Sequence, residues 1–337
     1  MSSRKINVAV AGLGFMGTTH LRAHQKIPNA RIVAVCGRSR VPVNGVLQGG
    51  QGNINPAANI HLGPKVKVHR DFDALIADAT VDLVDICTPT AAHAVQVIAA
   101  LKAGKHVLCE KPMAETVADA RKILKAAAAS RKFLMPAMCM RFWPGWSWLK
   151  EVVARKTFGA VQAAGFRRVT AKPAWSAAGT HAGGALLDLH IHDTDFVNFL
   201  FGRPEAVHSS GVVGKGGSVD HIVTQYIYRR GPAVHAEGSW LLPDGFNMSF
   251  AMNCERATID FDLSRGADAL RVHETGKKPR TVKLKGTDGY QEEIAYFIGC
   301  LTHGKKPAIV TAQDGLTALE ICAAEEKSVR TGKTIKL

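Results

Sequence analysis

The sequence has no long hydrophobic run and no segment typical of an exported protein. Its 337 residues contain no stretch that approaches the roughly 18–20 consecutive apolar residues of a membrane-spanning helix. Met1-Ser2-Ser3-Arg4-Lys5 leads at once into an apolar, strand-like run, which leaves no room for the apolar segment of a signal peptide. We therefore expect a cytoplasmic protein with no membrane partner.

Arrangements of cysteine and histidine that hold a metal or form disulfides are also missing. The number of cysteines, 7, is odd, no Cys-x-x-Cys occurs, and several cysteines follow apolar runs, as buried free thiols do. The pair His190 and His192 is not part of a His-Glu-x-x-His pattern. The sequence therefore predicts no disulfides and no metal.

Acidic residues are few relative to basic ones, and the formal net charge is +15. Such a charge attracts polyanions. The basic residues are scattered, however, and no Lys/Arg-rich block with interleaved aromatic residues occurs. An anionic cofactor or a basic solvated surface explains the charge, and we expect no specific nucleic-acid partner.

The first informative motif is a glycine-rich turn near the N-terminus. Residues 6–11 form a buried-strand run, Gly12-Leu13-Gly14-Phe15-Met16-Gly17 follows, and a helix-like stretch comes next. Glycines in this pattern permit a tight turn and a close approach of the backbone to a pyrophosphate, whose charge meets the helix N-terminus. The motif predicts a dinucleotide-binding Rossmann fold, with cofactor contacts at Gly12, Gly14, Phe15, Met16 and Gly17.

An acid is missing where NAD-binding proteins usually carry one. Such an Asp or Glu lies about 20 residues after the glycines and binds the ribose 2′-hydroxyl. Here the second strand, residues 31–36, is followed by Gly37-Arg38-Ser39-Arg40. Arg38 with Ser39 can bind a 2′-phosphate, which favours NADP over NAD. The alternative is that the arginines lie on a surface turn and that backbone groups hold the ribose.

Two later strand ends carry further candidates. The buried run at residues 81–87 ends in Thr88-Pro89-Thr90, with His93 at the start of the next helix. Thr88 and Thr90 are predicted to contact ribose or nicotinamide at the edge where open α/β sheets bind ligands. His93 is a further cofactor candidate, or simply a helix-start residue without a ligand.

The second strand end is His106-Val107-Leu108-Cys109-Glu110-Lys111-Pro112. The run reads as a buried strand that stops at Pro112, which cannot donate to a sheet. Glu110 and Lys111 are therefore predicted at the ligand edge, both near the cofactor, with Lys111 as a candidate proton donor and acceptor. The alternative is that Lys111 is a solvated charge.

A helix predicted from Gly183 to about Leu200 carries the remaining candidates. On an α-helix, Asp188, His192 and Asp195 lie at i, i+4 and i+7 on one face, while His190 and Asp193 point elsewhere. An acid and an imidazole on one face can bind a hydroxyl-rich substrate and move a proton. The alternative is a salt-linked helix face.

These patterns predict two domains in an α/β chain. Residues 1–140 form a Rossmann domain, a doubly wound parallel sheet, with an insertion at residues 41–64 whose Pro, Gly and Asn residues are typical of a loop. Residues 141–310 form an α+β domain with a large, mostly antiparallel open sheet that binds substrate and pairs subunits. A closing helix at residues 311–330 is predicted to pack back on the first domain.

Together, the glycine turn, Glu110-Lys111-Pro112 and Asp188-x-x-x-His192 after a glycine-rich entry resemble the glucose–fructose oxidoreductase, inositol dehydrogenase and MocA family. The resemblance covers essentially the whole chain. It implies hydride transfer between nicotinamide and a sugar or polyol carbon. His192 is then the proton acceptor, Lys111 polarises the reacting oxygen, and Asp188 holds a neighbouring hydroxyl.

The resemblance leaves other activities and the assembly open. Family members that cleave glycosides with a retained cofactor make a glycoside hydrolase one alternative, and a catalytically silent cofactor-binding protein is another. A homodimer or homotetramer through the C-terminal sheet is also expected. The missing acid after the second strand and the long 41–64 insertion depart from the family pattern, so adenosine contacts do not carry over.

Overall fold

The computed structural model describes residues 5–49, 58–174, 176 and 183–337. Its strands are β1 Ile6–Ala11, β2 Ala30–Cys36, β3 Val46–Leu47, β4 Ile60–His61, β5 Lys67–His69, β6 Leu83–Ile86, β7 His106–Glu110, β8 Leu134–Ala137, β9 Val161–Ala171, β10 Ala206–Val213, β11 Val219–Ile227, β12 Ala233–Cys254, β13 Ala257–Asp262, β14 Leu270–Glu274, β15 Arg280–Thr281 and β16 Ile335–Lys336.

The α-helices are α1 Phe15–Lys26, α2 Phe72–Ala77, α3 His93–Lys102, α4 Val117–Ala129, α5 Pro144–Ala154, α6 Ile191–Phe201, α7 Gly289–Thr302 and α8 Ala312–Thr331. Short 3₁₀ turns lie at Thr90–Ala92, Cys139–Arg141 and Leu263–Asp268. A π turn lies at Leu186–His190, directly before α6. None of the helices in the described ranges combines the length and the apolar character that a bilayer crossing needs.

The first unit is built on a parallel six-stranded sheet in the order β5-β2-β1-β6-β7-β8. The chain winds outward from β1 in both directions, as in a doubly wound fold, and the apolar runs of β1, β6 and β7 are buried. Ala11 lies in register with both Cys36 and Ile86, so the carboxyl ends of β1, β2 and β6 share one edge. The predicted Rossmann fold is confirmed.

The second unit contains the larger sheet, in the order β15-β14-β13-β12-β11-β10-β16. The strand β12 is bent, and its two arms, Ala233–Leu242 and Phe246–Cys254, both pair with β9. Most pairings are antiparallel, and strands such as β13 alternate buried with partly buried residues. One face of this sheet therefore lies on the core, which confirms the predicted open antiparallel sheet.

The division of the chain differs from the predicted boundaries. The first compact unit comprises residues 1–142 and 287–316, and the second comprises residues 143–286 and 317–337. The buried side of α7 contacts α1 and β1, which places this helix with the Rossmann sheet. Beyond residue 316, Glu325 and Ser328 are buried and bond to second-unit residues. Residues 317–330 therefore belong to the second unit, whereas residues 311–316 belong to the first.

The insertion at residues 41–64 is more ordered than the predicted loop. Its described parts form a two-stranded antiparallel ribbon of β3 and β4, and residues 50–57 lie outside the described ranges. Arg22 and Gln25 of α1 donate hydrogen bonds to the carbonyl oxygens of Ala58 and His61. The second arm of the ribbon is therefore fixed on the helix that follows the glycine turn.

Candidate active site

The three glycines of the first turn are required for different reasons. Gly12 has a φ of +89°, and a Cβ added there would collide with the carbonyl group of Cys87. A Cβ on Gly17 would collide with the carbonyl oxygen of Gly12. Gly14, in contrast, has an extended backbone with a φ of −75° and nothing within 4 Å of an added Cβ. The fold explains Gly12 and Gly17, whereas the space beside Gly14 suits a ligand that approaches the backbone closely.

The helix that follows this turn has an uncapped N-terminus. Gly14 is the N-cap of α1, so no side chain caps the helix, and its first turn contains no acidic residue. The first helical hydrogen bond runs from the N–H of Thr18 to the carbonyl oxygen of Gly14. The backbone N–H groups of residues 15–17 therefore face an anion site of the type that binds a pyrophosphate, and the predicted contacts fit a dinucleotide.

We expect Gly14→Ala to weaken cofactor binding by about 10-fold or more while leaving thermal stability nearly unchanged. The added methyl group occupies space that no atom of the described residues uses, and alanine tolerates the extended backbone of Gly14 at a cost of a few tenths of a kcal/mol. Fluorescence titration with NADPH and NADH and a melting curve measure the two effects. Gly17→Ala is the control, since its collision lies within the protein and should lower the melting temperature. A Gly14→Ala variant with normal affinity would contradict a pyrophosphate at this turn.

The end of β2 has no room for the acid that NAD-binding proteins often carry there. A Cβ on Gly37 would collide with the carbonyl oxygen of Arg40, so any longer side chain is excluded in this conformation. Arg38 and Ser39 are exposed. Arg40 donates to the carbonyl oxygens of Gln48 and Gly49 at 2.7 and 3.1 Å, so it holds the insertion. Of the two arginines, Arg38 is the one whose side chain is available to a cofactor.

The strand end after β6 is held by internal hydrogen bonds. The Thr88 hydroxyl donates to Oε1 of Gln96 at 2.6 Å, and Thr90 begins a 3₁₀ turn. His93 is 1% exposed, with Nδ1 2.8 Å from the carbonyl oxygen of Pro112 and Nε2 2.8 Å from that of Thr88. Burial lowers the pKa of His93. His93 thus ties two strand ends together, which favours the helix-start alternative over direct cofactor contact.

Glu110 and Lys111 lie at the carboxyl end of β7, as predicted. Glu110 is the last residue of the strand and is buried, and its Oε2 accepts a hydrogen bond from the backbone N–H of Lys111 at 2.9 Å. Lys111 is only partly buried. Glu110 therefore holds the backbone of Lys111. This hydrogen bond explains the position of the Glu110 side chain without direct contact with a cofactor.

A buried acid–imidazole cluster, formed by His20, Asp85, Glu110 and Glu293, lies under this strand end. Nδ1 of His20 is 3.0 and 2.9 Å from the two carboxylate oxygens of Asp85, and Nε2 of His20 is 3.0 Å from Oε1 of Glu110. Glu293 of α7 is fully buried beside them. Two sets of side chains that share His20 bring their nitrogen, oxygen or sulfur atoms within 4.8 Å of one another and could hold a metal ion: His20 with Asp85 and Cys87, and His20 with Glu110 and Glu293.

Burial and charge act in opposite directions on this cluster. Burial lowers the pKa of His20, but the negative charge of Asp85, the nearby Cys87 and the hydrogen bonds to both side chains together outweigh it and raise the pKa well above its ordinary value. Burial raises the pKa of Asp85, yet His20 and His24 hold it below its usual range. Burial and the nearby Glu110 raise the pKa of Glu293 well above that of an ordinary glutamate. Sequence reasoning missed this cluster because its members are spread over four elements.

The segment that carries Asp188 and His192 is not a regular α-helix. Gly183 and Gly184 have φ values of +70° and +68°, and a Cβ on Gly184 would collide with the carbonyl oxygen of Val219. Asp188 lies in the π turn and His192 in the first turn of α6. The predicted α-helical spacing was wrong here, because a π turn takes more residues per turn. Asp188 and His192 are partly buried, whereas Asp195 is 1% exposed.

The intervening residues His190 and Asp193, which were predicted only to point away from Asp188 and His192, anchor this segment. Asp193 forms two hydrogen bonds with Arg168 of β9, Nε to Oδ2 at 3.0 Å and Nη2 to Oδ1 at 3.1 Å. Nε2 of His190 lies 3.2 Å from the Thr224 hydroxyl and 3.3 Å from Oε1 of Glu325, and all three side chains are fully buried. The segment is thus fixed to the sheet of the second unit on one side, and its other side carries Asp188 and His192.

Comparison with known proteins agrees with the two-unit architecture. Residues 6–138 match the model of an oxidoreductase family with an NAD-binding Rossmann fold, and residues 146–260 match the GFO/IDH/MocA C-terminal domain. The chain belongs to the Gfo/Idh/MocA oxidoreductase family. It is 27% identical to myo-inositol 2-dehydrogenase of Thermotoga maritima, with 98% of each chain covered. It is 29% identical to 1,5-anhydro-D-fructose reductase of Ensifer adhaerens, with 79% of this chain and 82% of that protein covered.

Solved structures show the same fold over the whole chain. Levoglucosan dehydrogenase in complex with NADH and levoglucosan superimposes with a TM-score of 0.83 at 20% identity, and 99% of each chain is covered. An oxidoreductase domain protein from Kribbella flavida gives 0.82 at 22% identity, again with 99% of each chain covered. Family membership makes the protein an NAD-binding oxidoreductase, in which the glycine turn belongs to the cofactor domain.

Proposed function

We propose that this Gfo/Idh/MocA protein moves a hydride between NADP or NAD and a hydroxyl or carbonyl carbon of a sugar or polyol, with NADP preferred. The observation that carries the proposal is Lys111, at the carboxyl edge of β7 with its backbone held by Glu110. In open α/β sheets this edge binds ligands. The names of the inositol and anhydrofructose relatives support a sugar or polyol as substrate.

The chain's own residues bind the substrate and move the proton. A ring nitrogen of His192 accepts the proton of the reacting hydroxyl, Nζ of Lys111 polarises its oxygen, and a carboxylate oxygen of Asp188 holds a neighbouring hydroxyl. When bound, the nicotinamide supplies the hydride acceptor or donor at C4. The wild-type enzyme is tested by following absorbance at 340 nm with a panel of polyols and sugars and each oxidised cofactor. Absence of turnover on every member, under conditions where both cofactors bind, would contradict the proposal.

Arg38→Ala is expected to weaken NADPH binding by about 10- to 100-fold and leave NADH binding unchanged. The expectation follows because a charge-assisted hydrogen bond to a 2′-phosphate contributes about 1.5–3 kcal/mol, and because Arg38 is exposed beside Gly37, where the fold excludes a competing acid. Binding is measured by fluorescence titration. Arg31→Ala is the matched control: Arg31 is exposed near the start of β2, the strand that precedes Arg38, and its guanidinium donates to Oδ1 of Asn7. Equal NADPH affinity in wild type and Arg38→Ala would contradict the 2′-phosphate contact.

The cofactor contacts assigned to Thr88, Thr90 and Glu110, the subunit pairing through the C-terminal sheet and the cytoplasmic location stay predictions. The homodimer and the homotetramer differ twofold in mass, so light scattering on the purified protein separates them.

A further inference from the structure

The fully buried histidine under the strand end of Lys111 has no role in the chemistry proposed so far. His20 follows the glycine turn by three residues and is 0% exposed. Both of its ring nitrogens lie within 3.0 Å of carboxylate oxygens, those of Asp85 on one side and of Glu110 on the other. A buried side chain placed between two acids from different strands has a structural or functional reason.

Asp85 fixes the ring of His20. Its two carboxylate oxygens lie 3.0 and 2.9 Å from Nδ1, and Oδ2 also lies 2.9 Å from Nε2 of His24, one helical turn further along α1. Asp85 lies on the central strand β6 and is 0% exposed. Held in this way, the ring presents Nε2 to Glu110.

Glu110 connects the His20 ring to the backbone of Lys111. One carboxylate oxygen, Oε1, lies 3.0 Å from Nε2 of His20 as an ion-pair contact that lacks hydrogen-bond alignment. The other, Oε2, accepts the backbone N–H of Lys111 at 2.9 Å. A shift of the Glu110 carboxylate therefore shifts the backbone from which the Lys111 side chain extends.

The groups around His20 are mostly acidic side chains. Besides Asp85 and Glu110, the ring faces the Cys87 thiol at 3.4 Å, the Glu293 carboxyl of α7, and the ring of Tyr290, whose centroid is 6.4 Å away. Without His20, the carboxyl groups of Asp85, Glu110 and Glu293 would have no imidazole within the cluster. The neighbouring imidazole of His24 bonds to Asp85 rather than to Glu110. Without the imidazole beside it, the Glu110 carboxylate would be expected to move.

We propose that His20 is a positioning residue for Lys111: clamped by Asp85, it fixes the Glu110 carboxylate that holds the Lys111 backbone. The proposal rests on the role of Lys111 in the proposed function. It explains why a buried ion pair lies directly under the candidate catalytic lysine, where a displacement of about 1 Å can lower turnover by about 100-fold.

The test compares His20→Asn with His24→Asn. Asparagine at position 20 can still donate to Asp85 but is too short to reach Glu110, and position 24 is its matched control because His24 is equally buried, binds the same Asp85 and lies away from Glu110. Amide hydrogen exchange at Lys111 needs no substrate. We expect it to accelerate by about 10-fold in His20→Asn, the loss of about 1.4 kcal/mol of protection, and to stay unchanged in His24→Asn.

Turnover supplies the second readout. We expect kcat of His20→Asn to fall by about 10- to 100-fold with the KM for cofactor within about 3-fold of wild type, and His20→Gln, which reaches toward Glu110, to recover part of the loss. Equal losses in the variants at positions 20 and 24, in proportion to their melting temperatures, would overturn the positioning role. So would a stoichiometric divalent cation in the purified wild type that His20→Asn removes, because His20 would then be a metal ligand.

The measurements distinguish a failure of the proposed function from a failure of the positioning role. If wild type turns over no sugar or polyol, that function is wrong, while hydrogen exchange still tests the link from His20 to Lys111. If wild type is active, Lys111→Met is inactive and His20→Asn is normal in both readouts, only the positioning role is wrong.

Discussion

Replacing Lys111 by methionine is expected to lower kcat for polyol oxidation by about 100- to 1,000-fold, the loss expected when one group that stabilises charge on a reacting oxygen is removed. Methionine keeps much of the length of the lysine side chain and removes the ammonium group that polarises the reacting oxygen. Because Glu110 holds Lys111 through its backbone N–H, the substitution leaves that hydrogen bond in place. The loss should therefore appear in kcat, measured at saturating cofactor and substrate, with a melting temperature close to that of wild type.

Lys102→Met controls for the loss of a lysine as such. Lys102 is exposed in the last turn of α3 and should be replaceable without effect on turnover. A stopped-flow measurement of the hydride-transfer step separates chemistry from product release. If Lys111→Met transfers hydride at the wild-type rate, Lys111 is a solvated charge at a strand end and does not polarise the reacting oxygen.

The residues around Lys111 show which parts of such a site can be predicted from the sequence. The glycine turn and the strand that ends at Glu110 were predicted because each is a local pattern with a physical cause: a turn that needs glycine, and an apolar run stopped by proline. The acid–imidazole cluster beneath them was not predictable in the same way. His20 and Glu293 are separated by most of the chain and meet only because α7 packs against α1.

The second site segment shows a different limit. The motif Asp188-x-x-x-His192 is visible in the sequence, but its local backbone geometry is not. The 3.6-residue period of apolar side chains describes a regular α-helix and does not distinguish it from a π turn. Gly183 and Gly184 admit the backbone that enters the π turn, and nothing in the spacing of apolar residues reveals that turn. The same holds for α8, whose amphipathic pattern predicts a helix but not the unit on which each part of it packs.

The ion pair between Arg168 and Asp193, the residue next to His192, was not predictable from the sequence either. It is expected to dominate the stability of the second unit. Arg168 and Asp193 have side chains 4% and 0% exposed and meet through two parallel hydrogen bonds. Removing one partner of such a pair leaves the other charge buried and uncompensated, which costs about 3–5 kcal/mol. Asp193→Ala should lower the free energy of unfolding of the second unit by about that amount, measured by urea denaturation.

The neighbouring residue supplies a matched control for this prediction. Arg167 pairs with Glu237 at 3.0 Å on the exposed side of β9, with side chains 44% and 28% exposed, so Glu237→Ala should cost no more than about 1 kcal/mol. The double replacement Arg168→Met with Asp193→Leu tests the cause, because an apolar pair of similar volume leaves no buried charge and should recover most of the loss. If the double variant is as unstable as Asp193→Ala, the cost lies in packing around Met248, whose sulfur is 3.1 Å from the guanidinium, and Trp146, whose ring centroid is 5.8 Å from it, and not in the unpaired arginine.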